Sequence, residues 1–354
     1  MNKPLVDRIA KAILYEGYML YPYRPSAIKN RQRFNFGVIY PRVYSEMQAS
    51  GDAWTMQTEC LVVARASTEC GVCVRFLRMV ARSVRKAKVL RAGAFEIDDT
   101  NFEDAQELKV RGQAHRPWQE AVEEEIEVGE FRLSELASQP MQWPFRLSAI
   151  REREAIRDEE EKIVGLIFRE QKPLAGTIEY SAEKVRKDLY RVTIRISNTA
   201  RMEPPEMLSR EQALERALVS AHTVLEVRDG EFVSLIDPPE EYRGFASSCH
   251  NVGCWPVLVG DKEQRDTMLS SPIILYDYPE IAPESPGNLF DGAEIDEILS
   301  LRIMTLTDEE KAEMRESDER ARQILERTEN LPEEQLMKLH GVLHGLGPAK
   351  GETP

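Results

Sequence analysis

Two groups of cysteines have spacings from which a metal site could be built. Cys70 and Cys73 are separated by two residues, the spacing that lets two thiolates reach one zinc ion. Cys249 and Cys254 could supply the remaining ligands, although they do not form a second tight pair. A strand containing both Cys70 and Cys73 would place them on opposite faces, and free cysteines are often buried in proteins. Zinc binding is therefore one hypothesis, and four buried structural thiols are the other.

A second group of candidate side chains lies in an acidic, proline-rich segment. Prolines at positions 272, 279, 283 and 286 alternate with Asp277, Glu280 and Glu284. Because proline restricts its own φ and the residue before it, the pattern predicts a rigid loop without helix. These carboxylates could act as a general acid and base, but nothing in the sequence brings them together. We favour a docking surface in which they accompany Tyr276 and Tyr278, since tyrosine is enriched at interface hot spots.

A third candidate is an arm rich in basic and aromatic residues, from Tyr18 to Tyr44, which includes Tyr23 and Arg24. Interleaved rings and cations are typical of proteins that bind single-stranded nucleic acid. The arm is equally consistent with sheet strands that carry a charged edge, or with a segment that docks on an acidic surface. A formal net charge of −14 disfavours nucleic acid as the main target. We therefore favour docking on protein, either on the acidic C-terminal half of the same chain or on a partner, with Tyr23 and Arg24 as contact residues.

Several common catalytic signatures are missing from the sequence. It contains no P-loop, no G-x-G-x-x-G dinucleotide motif, no G-x-S-x-G nucleophile elbow and no H-E-x-x-H zinc motif. His340 and His344 have the spacing of two zinc ligands on a helix, but no glutamate lies between them. These observations favour a protein without enzymatic activity and with no required cofactor.

Composition and charge indicate a soluble globular protein of roughly two domains. Its 354 residues are 42% hydrophobic and 31% charged, and no apolar run is long enough to cross a membrane. Residues 1–100 carry 16 basic and 9 acidic side chains, a net charge of +7. Residues 101–354 therefore carry −21, which gives the total of −14. The N-terminus lacks the apolar core of a signal peptide, and five cysteines do not make a disulfide framework. We expect a cytoplasmic protein with reduced thiols.

The first 200 residues are predicted to form an N-terminal helix followed by a large antiparallel, sandwich-like β domain. The helix covers Pro4–Glu16, where apolar residues recur at helical spacing. Beyond it, apolar and polar residues alternate in segments separated by polar connections, the pattern of antiparallel strands. The stretch 151–162 fits either a helix or an exposed strand pair. The predicted strands are Phe36–Tyr44, Thr55–Ala64, Val72–Ser83, Val122–Leu133, Ile163–Arg169, Gly176–Ala182 and Leu189–Ser197.

Residues 201–345 are predicted to be a mixed α/β segment that ends in helices, followed by a disordered tail at 346–354. Ser209 and Gln212 form a capping-box signature for a helix that reaches His222. The sequence Arg228-Asp-Gly predicts a hairpin turn between two short strands. Further strands are predicted at Trp255–Val259 and Pro272–Tyr276. Helices are predicted at Gly292–Met304 and Asp308–Arg327, and after Pro332.

Two stretches resemble a known family. The sequence from Ser271 to Lys311, SPIILYDYPEIAPESPGNLFDGAEIDEILSLRIMTLTDEEK, together with YPYRPSAIKNR from Tyr21 to Arg31, is similar to an uncharacterised bacterial family. That family is encoded among the accessory genes of uptake nickel–iron hydrogenase clusters. The resemblance implies a cytoplasmic accessory or maturation role and a protein partner such as a hydrogenase subunit or maturation factor. It supplies no catalytic residues, and its pattern does not include the Cys70/Cys73 pair.

The sequence as a whole therefore predicts an α+β accessory protein that binds a protein partner without catalysis. Its contact residues are predicted to be Tyr276, Asp277, Tyr278, Glu280, Glu284, Tyr23 and Arg24. The alternative is a metal-binding protein or metal-dependent enzyme built on the four cysteines.

Overall fold

The structure is a computed structural model that describes residues 3–14, 36–47, 51–88, 99–202, 209–280, 303, 306–317 and 319–330. Its α-helices are α1 (Lys3–Leu14), α2 (Arg42–Met47), α3 (Leu133–Ser138), α4 (Arg210–Leu214), α5 (Arg243–Ala246), α6 (Asp308–Ser317) and α7 (Glu319–Glu329). Its strands are β1 (Thr55–Ala87), β2 (Phe102–Asp104), β3 (Leu108–Val110), β4 (Gln113–His115), β5 (Trp118–Arg132), β6 (Met141–Leu147), β7 (Ile150–Arg157), β8 (Ile163–Gln171), β9 (Leu174–Arg186), β10 (Leu189–Asn198), β11 (Val219–Val233), β12 (Trp255–Leu258) and β13 (Thr267–Ser271). No helix in these described ranges is both long enough and apolar enough to span a bilayer.

Strand β1 is the centre of the fold. Its 33 residues would extend about 110 Å if straight, so it must bend within a domain of this size. It changes neighbours along its length: β10 and then β5 pair on one side, and β11 and then β8 on the other. Register shifts in the pairing with β11 occur between Ala64 and Glu69 and between Arg75 and Leu77. The two predicted strands Thr55–Ala64 and Val72–Ser83 are therefore parts of one strand.

All strand pairs that surround β1 are antiparallel, and the described part of the chain is α+β but mostly β. The strands are neighbours in the order β12-β13-β11-β1-β10-β9-β6, while β2, β5 and β8 also pair with β1, and β7 pairs with β8. Strands β3 and β4 form a separate hairpin. The antiparallel β character predicted from the alternating sequence is confirmed.

One large hydrophobic core contains side chains from strands on both sides of β1. Side chains of β1, β5, β6, β9, β10 and β11 all contribute to it. Phe131 of β5 stacks on Tyr180 of β9 at 4.7 Å between ring centroids, and Phe76 of β1 lies 6.5 Å from Phe145 of β6. These contacts connect strands that are not neighbours in the sheet, so burial of aromatic rings holds the bent sheet in place.

A buried arginine fixes two connections to the middle of β1. Arg78 is 2% exposed and donates to the carbonyl oxygens of Ser148 (2.5 Å) and Lys172 (2.8 Å). It also pairs with Glu124 of β5 at 3.2 Å. Because a buried guanidinium is costly without partners, these contacts explain why an arginine is tolerated here. They attach the β6–β7 and β8–β9 connections to the central strand.

The predicted hairpin at Arg228-Asp-Gly is wrong, because β11 runs continuously from Val219 to Val233. Asp229 has a positive φ of 57°, but it lies at the irregularity where β1 and β11 change register. The Thr68 hydroxyl donates to the Asp229 carbonyl at 2.6 Å and accepts from Arg65 N at 2.8 Å. A Cβ on Gly230 would lie 2.7 Å from Thr68 Cγ2. Four residues of β1 (65–68) stand opposite the single residue Asp229, so the extra residues are in β1 and the Asp-Gly pair is not a turn.

Other predicted elements differ at their ends. The predicted strand Phe36–Tyr44 reduces to one bridge, between Ile39 and Leu218, before α2 begins at Arg42. Pro41 precedes that helix and accepts from Ser45 N, a position that suits proline because it needs no donor. The capping box of Ser209 and Gln212 is confirmed, but α4 ends at Leu214 because residues from Val219 pair with β1. The undecided stretch 151–162 contains β7, a strand.

The chain divides into two compact units that differ from the predicted domains. The first comprises residues 1–19 and 32–279, and the second comprises residues 20–31 and 280–354. Strands β11 to β13 pair in the same sheet as β1, so the boundary predicted near residue 200 runs through one sheet. In the second unit the predicted helix Asp308–Arg327 is described as α6 and α7. Thr307 and Glu310 cap α6 reciprocally at 3.3 and 2.9 Å. The predicted helix Gly292–Met304 (apart from Ile303), the helix after Pro332 and the tail 346–354 lie outside the described residues.

Candidate functional site

Strand β1 places Cys70 and Cys73 on opposite faces. Cys70 belongs to the large core and is fully buried, whereas Cys73 is half-buried on the other face. Burial raises the pKa of both thiols to about 12, and nearby carboxylates (Glu226 for Cys70, Glu125 for Cys73) act in the same direction. Metal ligation requires the thiolate, so neither environment favours the ligating form at neutral pH.

The other two cysteines of the predicted site are also held as thiols. Cys254 donates to the Gln57 carbonyl at 3.0 Å and lies 3.3 Å from the Thr58 hydroxyl. Cys249 is half-buried after α5 and faces the Phe245 carbonyl at 3.6 Å. Burial raises the pKa of both side chains. All five cysteines are free, and the described ranges contain no group of three or more histidine, cysteine or acidic side chains arranged to hold a metal ion.

The segment after β13 carries the strongest candidate surface. The predicted strand Pro272–Tyr276 is wrong, because β13 ends at Ser271 and the chain then leaves the sheet. Leu275 is 5% exposed, whereas its neighbours Ile274 and Tyr276 are 72% and 84% exposed. We call these two exposed side chains the ridge. Such large apolar side chains in solvent are unusual next to each other and commonly mark an interaction site.

Asp277 anchors the ridge to two strands. Its Oδ1 accepts from the Leu258 backbone N–H at 2.8 Å, at the end of β12. Its Oδ2 accepts from the Ser234 hydroxyl at 2.5 Å, just after β11. The Ser234 oxygen in turn accepts from the backbone N–H groups of Ile236 (3.2 Å) and Asp237 (2.9 Å). The carboxylate predicted as a partner contact is therefore part of the support under the ridge.

Tyr278 completes the anchor from the other side. Its backbone N–H donates to the Leu258 carbonyl at 2.7 Å, and its hydroxyl donates to the Gln264 carbonyl at 2.9 Å. The residue has a positive φ of 55°, a conformation that costs energy for a tyrosine and is held here by these contacts. Its ring packs against the large core, and burial raises the pKa of its hydroxyl. Tyr278 is thus a structural residue, and Tyr276 is the exposed one.

Two neighbouring contacts extend the surface at the start of the segment. Trp255 of β12 is opposite Ser271 in the sheet and is partly exposed. Pro272 lies against Gly37, where an added Cβ would approach the proline ring to 2.5 Å. Gly37 also has a positive φ of 55°, so both its space and its backbone favour glycine. The segment therefore leaves the sheet between two rigid neighbours.

A cavity of about 270 Å³ lies near the other end of β13. Arg228 in its wall donates to Glu130 at 2.8 Å and pairs with Glu69 at 3.4 Å. Four carboxylates against one guanidinium leave the wall with a net negative charge. The lining residues are Glu69, Gly71, Glu130, Glu226, Val227, Arg228, Asp266 and Thr267.

The remaining predicted contacts fall into two groups. Glu280 is exposed and follows the anchored segment. Tyr23, Arg24 and Glu284 lie outside the residues that the structure describes, as do His340 and His344. Sequence reasoning missed Ser234, Leu258 and Trp255. The turn pattern after Ser234, which ends in Pro238-Pro239, marks a chain reversal, but it contains no signal that pairs Ser234 with Asp277.

Fold and site together define a mostly β α+β protein with an anchored apolar ridge after one end of β13 and an acidic cavity near the other end. A scan against models of known families finds none that matches the chain, and a search of curated proteins also finds no match.

Proposed function

We propose that this chain is a non-catalytic accessory protein that binds a protein partner through the ridge. The observation that carries the proposal is the exposure of Tyr276 and Ile274 on a segment that Asp277 and Tyr278 hold to β12. Tyrosine offers a large contact area with few rotatable bonds and is enriched among the residues that dominate binding energy. The hydrogen bonds of Asp277 and Tyr278 hold the ridge in place before a partner binds.

Rigidity matters because association costs conformational freedom. A loop that is already ordered loses less entropy on binding than a mobile one, so more of the contact energy is expressed as affinity. The alternation of exposed Ile274, buried Leu275 and exposed Tyr276 directs two apolar side chains outward from one anchored strand-like segment. This arrangement suits a partner that buries both side chains together.

The finer parts of the proposal rest on the sequence. The resemblance of residues 271–311 and 21–31 to a hydrogenase-associated family supports a role in assembly of a nickel–iron hydrogenase, with a hydrogenase subunit or maturation factor as partner. Five free cysteines agree with a cytoplasmic location, which we include in the proposal. The core contact between β5 and β9, which are not neighbours in the sheet, supports a sandwich-like packing of these strands.

Affinity purification from the native host, followed by mass spectrometry, tests the proposal. Tagged wild type is compared with the double variant Ile274→Ser/Tyr276→Ser and with Trp143→Ser. Trp143 is 44% exposed on β6, at the opposite end of the strand order, and is a matched control for loss of an exposed aromatic ring. We expect one identified protein to be reduced at least tenfold with the ridge variant, since hot-spot truncation commonly costs about 2 kcal/mol or more.

The control variant should recover the same protein at the wild-type level. Recovery of equal amounts by wild type and ridge variant would contradict the docking function. Recovery of a ridge-dependent partner unrelated to hydrogenases would retain the docking function and exclude the hydrogenase assignment.

A further inference from the structure

We propose that the partner binds the ridge by laying an extended strand of its own along residues 274–276, an arrangement that we call strand addition. This inference rests on the proposed docking function and specifies how the partner binds. Its basis is a row of backbone groups without hydrogen-bond partners, in a segment that is fixed at both ends and exposes apolar side chains on alternate residues.

The backbone of the ridge is open between two fixed points. The Ser271 hydroxyl donates to the Ile273 carbonyl at 2.6 Å and accepts from the Ile273 N–H at 3.3 Å, which fixes the start of the segment. Asp277 and Tyr278 fix its end on β12. Within the described part of the chain, no hydrogen bond involves the backbone N–H or C=O groups of residues 274–276. Unpaired backbone donors and acceptors on an anchored segment are the groups that an added strand uses.

The side chains of this row alternate as they do in a strand with one covered face. Ile274 and Tyr276 are 72% and 84% exposed, whereas Leu275 between them is 5% exposed. None of the three residues has a positive φ, and none belongs to a helix or strand of this chain. An added strand would place its own side chains opposite Ile274 and Tyr276, where β-branched and aromatic residues give favourable cross-strand pairs. We therefore expect the partner segment to carry such residues at alternate positions.

The outer strands of the sheet are less suited to strand addition than the ridge. Strands β6 and β12 lie at the two ends of the strand order, and each contains a proline, Pro144 or Pro256, which lacks a backbone donor. At β12 the Leu258 N–H and carbonyl are both bonded to the segment that follows β13. Proteins commonly block exposed strand edges against pairing in such ways. The segment that covers Leu258 leaves its own residues 274–276 open, so strand addition is favoured there.

A strand of a different protein suits the ridge better than a second copy of this chain. Symmetric pairing of two copies would bury Ile274 and Tyr276 of each, and four such side chains fall short of the roughly 1,000 Å² that a specific interface needs. A different protein can lay a strand on the ridge and also cover Trp255, which is 44% exposed and lies opposite Ser271 in the sheet. The occupant that we propose is therefore an extended segment of another protein.

The test begins with selection of binders from a random twelve-residue peptide library displayed on phage. The library is selected on the wild-type full chain and counter-selected on the double variant Ile274→Ser/Tyr276→Ser, so that only ridge-dependent binders remain. The strongest peptide is then synthesised in versions that each carry one N-methylated backbone amide, because N-methylation removes a donor and keeps the side chain. Alternate amides of an added strand point towards the ridge. We expect binding to weaken about five- to tenfold at alternate positions and less than twofold at the positions between them.

Hydrogen exchange of the chain's own amides is the second readout. The bound peptide should slow exchange at least tenfold at one or more of residues 274–276, and Trp143→Ser should bind the peptide as the wild type does. N-methylation effects without alternation, or unchanged exchange at all three amides, would overturn strand addition and leave docking through side chains alone. A library that yields no ridge-dependent peptide would also overturn the inference, whereas the docking function is decided separately by the affinity purification. A dimer of the chain alone in sedimentation, lost in the double variant, would overturn the choice of a different protein and make a second copy the occupant.

Discussion

Replacement of Asp277 by alanine tests whether the ridge depends on its anchor. The variant removes the acceptor of the Leu258 N–H, at 2.8 Å, and the acceptor of the Ser234 hydroxyl, at 2.5 Å. Leu258 is buried, so its N–H has little access to water when the carboxylate is lost. An unsatisfied buried donor costs about 1–3 kcal/mol, and a hydrogen bond to a charged group contributes about 1.5–3 kcal/mol. Because Asp277 is half-buried and partly solvated, we expect a total loss of about 2–4 kcal/mol.

A double-mutant cycle with Ser234→Ala separates the contact from its surroundings. Ser234→Ala alone also removes the acceptor used by Ile236 and Asp237, so its cost includes the turn after β11. If Ser234 and Asp277 stabilise the structure as a pair, their combined effect should differ from the sum by about 0.5–3 kcal/mol. Asp277→Asn, which keeps an oxygen acceptor for Leu258, should cost about half as much as Asp277→Ala.

Urea unfolding and hydrogen exchange of residues 255–280 measure these effects. We expect faster exchange at Leu258 and Tyr278 in Asp277→Ala, together with weaker binding of any ridge-dependent ligand although Tyr276 itself is unchanged. Tyr276→Ser is the converse control, since it should weaken binding and leave the stability within about 0.5 kcal/mol. Wild-type stability and exchange in Asp277→Ala would refute the reasoning that this carboxylate is structural.

Three further outcomes follow from other parts of the molecule. Gly176→Ala should destabilise by about 1–3 kcal/mol in urea unfolding, because its Cβ would lie 2.3 Å from the Phe145 ring and 2.7 Å from the Ser197 carbonyl. Gly71→Ala, whose Cβ would meet nothing closer than 3.7 Å, is the matched control, and equal effects would contradict the packing argument. Burial lowers the pKa of His222 to about 4, so between pH 6.5 and 4 the unfolded chain binds a proton that the native state does not. The free energy of unfolding should therefore decrease as the pH is lowered from 6.5 to 4, by up to about 3 kcal/mol. The variant His222→Gln should flatten this part of the pH profile, and an unchanged profile would show that another group causes the loss. Elemental analysis of the purified protein should find well below one equivalent of zinc, nickel or iron, whereas near-stoichiometric metal that is lost in Cys73→Ser would support the cysteine site.

Local patterns predicted the elements that depend on local forces. Tyr190, Val192, Ile194 and Ile196 alternate in the sequence, and all four are buried on β10. A strand with one covered face needs little more than this period of two to be recognised. The capping box at Ser209 was visible for the same reason, because both of its hydrogen bonds connect residues three apart.

Elements that depend on distant partners were misread. The predicted strands Thr55–Ala64 and Val72–Ser83 left a break between them, but Thr68 bonds to Asp229, far along the chain, and β1 continues. The same contact holds the Asp-Gly pair inside β11, opposite the irregularity of β1, although the sequence indicated a turn. The helix predicted to reach His222 ended early because residues from Val219 pair with β1, and a full ladder of sheet hydrogen bonds outweighs a weak helical preference.

In the candidate site, too, contacts between residues distant in sequence determine which side chains are exposed, and the sequence pattern did not reveal them. An apolar run followed by Tyr276, Asp277 and Tyr278 reads as a strand end and a set of equivalent contacts, but the chain leaves the sheet after Ser271. From that point, hydrogen bonds to Leu258, Ser234 and Gln264 decide which side chain faces inward. None of these partners is adjacent in sequence, so periodicity could not distinguish the anchors from the exposed ring. Asp277 and Tyr278 should therefore act on binding through stability, and Tyr276 should act on binding alone. A comparison of binding with unfolding for the three single alanine variants separates these roles, and parallel losses in both quantities for Tyr276→Ala would show that its ring is also structural.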